Sequence, residues 1–314
     1  MFNILAVNYS QTGQLDEIID NLVQPLSDLC VDRVRVEPLF SYPFPWTGPA
    51  FFDLMPDCVL EHTIPLKPLQ LPKKEYDLII VGYQPWFLSP SLPATSLFRN
   101  EEFKALVNGK PVVTVIGARN MWINSQKSVI RFIEEANGSL AGNIPLGDKT
   151  NNFVSAVTIL HWMLGGKKDK FLGIFPKPGI SDEDIQGASI FGEIILDCLR
   201  RNQLGELQER LLEAETIELP ISIIFIEERA KMLFRVWAKI IDKRGRTPRK
   251  RKLYVNLFKY YLVVALFVVA PIVLLFYFTI FYPLSRNSAK KKRQYYLKGI
   301  IKAHNARSLH YEDR

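Results

Sequence analysis

The sequence predicts an α/β protein with a doubly wound parallel sheet, and three observations carry that expectation. Short continuous apolar runs, such as residues 77–82 (DLIIVG) and 111–117 (PVVTVIG), have the composition of strands covered on both faces. Segments with helical spacing alternate with them, as in successive βα units. At the N-terminus a run of Ile4, Leu5, Ala6 and Val7 breaks into a short polar loop. Behind it Leu15, Ile18, Ile19, Leu22, Val23 and Leu26 recur at helical spacing.

Taken in order, the first strand and helix precede a second strand at residues 31–36. Residues 37–72 are rich in Pro, Phe and Trp and read as an ordered excursion over the sheet. The run at 77–82 is the third strand. A helix at 101–107 closes on Asn108 and Gly109. The strand at 111–117 follows, then a helix at 126–136 that closes on Asn137 and Gly138. A strand near 140–145, a helix at 152–164 and a strand at 171–175 continue the alternation. Ser181, with Asp182, Glu183 and Asp184 behind it, is an N-cap for a helix running through Leu199.

Charge divides the chain. The whole of its 314 residues carries +8, but residues 1–228 carry −10 and residues 229–314 carry +18. An acidic globular part thus bears a basic tail, and nucleic acid is not the partner that the average charge suggests. Within the tail, residues 260–284 hold no charge over 25 residues. A helix of that length reaches about 37 Å, enough for a hydrocarbon core of about 30 Å. Aromatic residues gather at both of its ends and Lys/Arg runs lie beyond them, against anionic lipid headgroups. Pro271 admits two arrangements, a kinked single span or a re-entrant hairpin. Residues 221–241 read either as an interfacial amphipathic helix or as an ordinary globular one. The expected divisions are 1–215 (globular domain), 216–259 (amphipathic, basic, juxtamembrane), 260–284 (transmembrane or re-entrant) and 285–314 (basic tail). The globular domain is expected on the cytoplasmic face of a membrane.

Cys30, Cys58 and Cys198 are far apart and form no CxxC pattern, which fits a reducing compartment. His62, His161, His304 and His310 show no metal spacing.

Ligands of such sheets bind outside the carboxyl ends of the strands. Three loops qualify. The first is YSQTGQ, residues 9–14, whose hydroxyls and backbone N–H groups stand at a helix N-terminus and suit an anion. It lacks the lysine of a P-loop and the spaced glycines of a dinucleotide fingerprint, and a plain strand–helix turn is its alternative. The second holds Tyr83, Gln84, Pro85, Trp86 and Phe87; Trp86 is either a ring-stacking residue or core. The third holds Gly117, Ala118, Arg119 and Asn120. An arginine directly behind a buried strand faces a cleft or a carboxylate.

The order YSQTGQ resembles the phosphate loop of flavodoxin-like proteins, which hold the terminal phosphate of FMN. That resemblance implies a flavodoxin-like sheet and FMN contacts from Ser10, Gln11, Thr12, Gly13, Gln14, Gln84, Pro85, Trp86, Phe87, Gly117, Ala118, Arg119 and Asn120. Together with GYQPWFLSPS, GARNMW, PKPGISDEDI and the C-terminal apolar segment, it looks like the dialkylresorcinol-biosynthesis proteins over essentially the whole chain. These were first labelled condensing enzymes and are now described as aromatases. The resemblance implies oxidation of a lipophilic 2,5-dialkylcyclohexane-1,3-dione to a dialkylresorcinol, with a ketosynthase as a separate partner. The residues speak against condensation, which needs an activated cysteine with His or Asn partners. Arg119 and Tyr83 are the candidate catalytic residues, and His161, Tyr42 and His62 are further candidate bases. Two other readings stay open: a membrane-tethered NAD(P)H flavin or quinone reductase, and a non-enzymatic scaffold for the ketosynthase.

Overall fold

The computed structural model describes residues 2–73, 75–214 and 217–298. Five strands, β1 (Asn3–Asn8), β2 (Cys30–Arg35), β3 (Leu78–Tyr83), β4 (Pro111–Ala118) and β5 (Ser139–Gly147), form one sheet. All pairings are parallel, in the order β2-β1-β3-β4-β5. This is the doubly wound flavodoxin-like order, with its switch point between β1 and β3. The fold class expected from the sequence is therefore the one observed.

Strand alternation sorts the apolar residues into two cores. Ile4 and Ala6 of β1, with Leu78 and Ile80 of β3, face Leu15, Ile18 and Leu22 of α1 (Gln14–Val23). Their neighbours Leu5, Val7, Ile79 and Val81 face the opposite side, among Phe103, Phe132 and Ile133. With both faces covered, every residue of β3 is buried, which is why the strand reads as an unbroken apolar run. At the switch point a Cβ on Gly82 would lie 2.7 Å from the Cβ of Asn8, so only glycine lets β1 and β3 approach there.

The excursion of residues 37–72 contains two short helices, α2 (Gly48–Asp53) and α3 (Met55–Val59). After β3 come α4 (Leu92–Phe98), which the sequence reading did not anticipate, and α5 (Glu101–Val107). Every residue of α4 is buried, so its sequence shows no polar face to reveal a period. Helix α6 (Ile123–Glu135) begins three residues before its expected start. The main-chain N–H of Asn124 in its first turn donates to the Glu227 carboxylate at 2.7 Å, a cap supplied from far along the chain. Helix α7 (Asn152–Gly165) follows β5 as expected.

Two expectations are corrected. Residues 171–175 form no strand: Phe171–Gly173 is a 3-10 turn, and Leu172 and Ile174 are exposed, so no sheet edge receives them. The helix after Ser181 is not continuous. It divides into α8 (Asp182–Gln186) and α9 (Ser189–Arg200) around Gly187 and Ala188. The shift lets Gly192 pack against the Leu22 carbonyl, where a Cβ would come within 2.0 Å.

Helix α10 (Leu207–Glu213) covers β5. Helix α11 (Ile221–Arg244) is a helix of the globular body, the second of its two readings: Ile223, Ile224, Phe234, Ala238 and Ile241 are buried, and it packs on α3 and α6. The last helix, α12 (Pro248–Leu297), is unbroken over 50 residues and apolar enough to cross a membrane. Two π-helical turns, Ala265–Val269 and Tyr277–Phe281, interrupt its regular winding. Pro271 lies just after the first, where the widened turn relieves the clash with the carbonyl four residues back. His304, His310 and the part of the expected tail at 299–314 lie outside the described residues.

Candidate functional site

The first loop leaves β1 at Asn8 and enters α1 through Gly13, whose φ of +84° is left-handed. No heavy atom lies within 4 Å of where a Gly13 Cβ would stand. The Ser10 hydroxyl accepts from Leu15 N–H at 3.2 Å, and the Gln84 side-chain carbonyl accepts from Gln11 N–H at 3.2 Å. The N–H groups of Thr12, Gly13 and Gln14 have no partner among the described residues. Three unpaired N–H groups and two hydroxyls at a helix N-terminus are an anion's donor set.

The three loops meet at one cleft of about 210 Å³. Gln11, Thr12 and Gln14 line it from the first loop; Gln84, Pro85, Trp86 and Phe87 from the second; Gly117, Ala118 and Arg119 from the third. Phe51 of α2, from the aromatic excursion, also lines it, and sequence reasoning missed the rest of the wall: Ile159, Leu160, Trp162 and Met163 of α7, and Gly179 with Ile180. These groups come from segments distant in sequence. They are tied to the loops by pairings without a motif, namely the Gln14 amide, which accepts from Ile180 N–H at 3.2 Å and donates to its carbonyl at 3.0 Å, and Trp46 N–H to Met163 O at 2.8 Å.

Trp86 is half-buried and holds an edge-to-face position against three other rings. Tyr9, Tyr42 and Trp46 lie at centroid distances of 5.9, 5.3 and 5.8 Å. Tyr9 donates its phenolic hydrogen to Gln11 Oε1, which links this aromatic group to the first loop. Burial raises the pKa of Tyr9 and Tyr42 well above the ordinary phenol value. Beside them Phe51 and Phe87 touch at 4.9 Å; from Phe87 the contacts continue to Phe234 at 6.4 Å and Phe258 at 5.3 Å. A row of aromatic rings thus joins the cleft to α12.

Arg119 lines the cleft and is anchored behind it. One guanidinium nitrogen donates to both the main-chain carbonyl and the side-chain oxygen of Asn152, each at 2.9 Å. Desolvation lowers its pKa to about 10, against the opposing pull of Asp148 and Glu227, so it is a cation at neutral pH. Asn120 turns instead toward a neighbouring cleft of about 300 Å³, where its amide donates to Asn152 Oδ1 at 3.0 Å.

Tyr83 is not brought to the cleft. Its side chain is fully buried, and its hydroxyl donates to Gln126 Oε1 at 2.7 Å. From there a chain of hydrogen bonds runs to Thr114 Oγ1 (3.0 Å) and Asn143 Oδ1 (2.9 Å). It ends at Gln208, which accepts from Asn143 N–H at 2.6 Å and donates to the Leu297 carbonyl at 2.8 Å. Burial raises the Tyr83 pKa far above the ordinary value, so the expected catalytic role is withdrawn in favour of an interior structural one. His161 pairs with Asp169 at 2.8 Å and His62 with Asp57 at 3.0 Å, and neither lines the cleft.

Two buried ionisable groups escaped the sequence reading. Glu227 is completely buried, its second carboxylate oxygen has no partner among the described residues, and burial raises its pKa to about 7. Lys231, one turn later, donates to Leu88 O at 3.0 Å and Ser89 Oγ at 2.6 Å, and burial lowers its pKa to about 8. Their spacing of four, among apolar residues of a basic segment, was the only available signal.

No family model matches the chain, and no curated protein does. Among solved structures it is similar to a flavoprotein in complex with FMN from Lactobacillus acidophilus NCFM, at 14% identity and a TM-score of 0.39, over 46% of this chain and 93% of that one. Oxidised flavodoxin 1 from Bacillus cereus is similar at 12% identity and 0.32, over 61% and 95%. A flavodoxin from the domain Archaea is similar at 12% and 0.30, over 66% and 98%. Likeness at these scores adds no argument to the strand order.

Proposed function

We propose that this chain is a membrane-anchored, FMN-dependent oxidoreductase that aromatises a 2,5-dialkylcyclohexane-1,3-dione to a dialkylresorcinol. The observation that carries the reading is the joining of an anion cradle and an aromatic-lined cleft at the switch point of a flavodoxin-like sheet. The donor set fits the phosphate end of FMN: Ser10, Thr12 and the N–H groups of residues 12–14 would hold it, without a lysine. At the ring end Trp86, Phe87 and Gln84 would flank the isoalloxazine. A volume of about 210 Å³ is below the range of roughly 300–1,000 Å³ usual for ligand pockets, so a ring enters as α7 yields or lies at the open rim.

When bound, FMN supplies a hydride acceptor. Converting the dione to the resorcinol removes two hydrogens, one as hydride and one as a proton, and enolisation of the remaining carbonyls completes the aromatic ring. Arg119, cationic and fixed by Asn152, is suited to hold the enolate oxygen of an acidic 1,3-dione. The aromatic row from Phe51 to Phe258 gives the cleft an apolar margin on the side of α12, suited to alkyl chains. A cytoplasmic position for the globular domain and a ketosynthase that delivers the precursor belong to the same proposal.

The direct test is anaerobic incubation of FMN-loaded protein with the dione. Bleaching of the flavin with stoichiometric resorcinol supports the aromatase. Fast bleaching by NADPH with no reaction of the dione would replace it by the reductase reading, and protein that takes up no FMN would leave the scaffold.

A further inference from the structure

The expected single span would carry everything beyond residue 284 to the far side of a bilayer, away from the globular body. The structure holds α12 against that body at its start, middle and end. At the start, Arg251 pairs with Asp53 at 2.6 Å and Asp57 at 3.0 Å, and Phe258 is completely buried. In the middle, Tyr277 stacks on Phe225 of α11 with centroids 3.8 Å apart. At the end, Lys292 pairs with Glu228 at 2.7 Å, Arg293 donates to the Leu219 carbonyl at 2.8 Å, and Tyr296 is buried with its hydroxyl on Glu228.

Shielding along the helix is periodic. Between these anchors partly shielded positions recur every three or four residues through Leu262, Leu266, Ala270, Leu274 and Tyr277, and, after a five-residue step across the second π-helical turn, through Tyr282, Ser285 and Ala289. One stripe of the helix is therefore partly shielded, although no residue of its most apolar stretch is buried and a cleft of about 300 Å³ opens beside Leu274. A helix surrounded by lipid has no reason to carry such a stripe. The other faces are exposed and apolar, with Val264, Phe267, Val268, Leu275 and Phe281 among them. Beyond both ends of that apolar stretch stand exposed lysines and arginines, including Lys250, Lys252, Arg286 and Lys290.

We propose that α12 is a monotopic membrane ridge: it lies in the plane of an anionic bilayer with its outer face in the acyl region, and both of its basic flanks stay on the leaflet that faces the globular domain. The body covers the side that an isolated interfacial helix fills with polar residues. Lysines and arginines at both ends meet anionic headgroups of the same leaflet.

This placement rests on the membrane reading above, and the experiment separates the two. The full chain is mixed with sealed vesicles containing phosphatidylglycerol and tested for flotation. Single cysteines at Arg249→Cys, Ser288→Cys and, as a reporter on the globular domain, Asn202→Cys are then labelled with an impermeant maleimide, before and after detergent, in a chain whose Cys30 is replaced by serine. The expected result is flotation with the same accessible fraction at all three positions. A fraction at Ser288→Cys complementary to that at Asn202→Cys would overturn the monotopic placement and leave the membrane reading intact. Failure to float would overturn both.

Discussion

At the β1 end of the cleft the groups offered to a ligand are main-chain N–H groups and two hydroxyls; at the other end they are aromatic side chains drawn from four segments. The first end is local, made by six consecutive residues between a strand and a helix. The second is assembled, with Trp86 wedged among Tyr9, Tyr42 and Trp46 and α7 closing the wall. The difference teaches where specificity resides. On the proposed reading, charge-assisted bonds at the local end would read a phosphate, while the assembled end would offer area and shape to a flat apolar ring.

Substitutions at the two ends therefore have different signatures. Replacing Thr12 by alanine removes a hydroxyl offered to a charged group, a loss of about 1.5–3 kcal/mol. The FMN dissociation constant should rise by about 10- to 100-fold while riboflavin affinity stays unchanged; an equal loss for both ligands would remove the phosphate from this loop.

The acid behind the assembled end gives a pH test. Glu227 has its folded pKa raised from the ordinary 4.5 to about 7. Its contribution to stability is complete below about 4.5 and is lost as pH rises through about 7. Glu227→Gln keeps an acceptor for Asn124 and cannot ionise, so urea midpoints should match the unchanged protein at pH 4. At pH 8 the variant should be more stable, by about 3 kcal/mol. Equal midpoints at both pH values would mean that the carboxylate is not desolvated.

Trp86→Ala has the smallest expected effect of the three. The geometric preference of an aromatic pair contributes about 0.5–1.5 kcal/mol, so fluorescence titration should show FMN and riboflavin weakened together, by about 3- to 10-fold. Unchanged affinity for both would remove Trp86 from the site, and a loss confined to FMN would erase the contrast between the two ends.

What was legible in the sequence follows the same division. Strands β1, β3 and β4 were readable because burial on both faces leaves continuous apolar runs, and the first loop because its chemistry is sequential. Helix α4 was hidden by burial on every side, and residues 171–175 imitated a strand with apolar side chains that in fact lie exposed. The cost of burying a cation at a strand end led to the expectation that Arg119 faces a cleft, and it lines one. Tyr83, one residue after Gly82, was misplaced toward the cleft. Its fate depended on Gln126, Thr114 and Asn143, which meet it only in three dimensions. Likewise Gln14 was foreseen as a phosphate contact, but its amide spans the gap to Ile180 and closes the cleft wall.

In the proposed function residues 10–14 hold the flavin phosphate. Titration of the purified full-length protein with FMN and, separately, with riboflavin tests this most directly. The predicted result is FMN binding at least about tenfold tighter than riboflavin, as a charge-assisted phosphate contact requires. Equal affinities, or no binding of either, would contradict it.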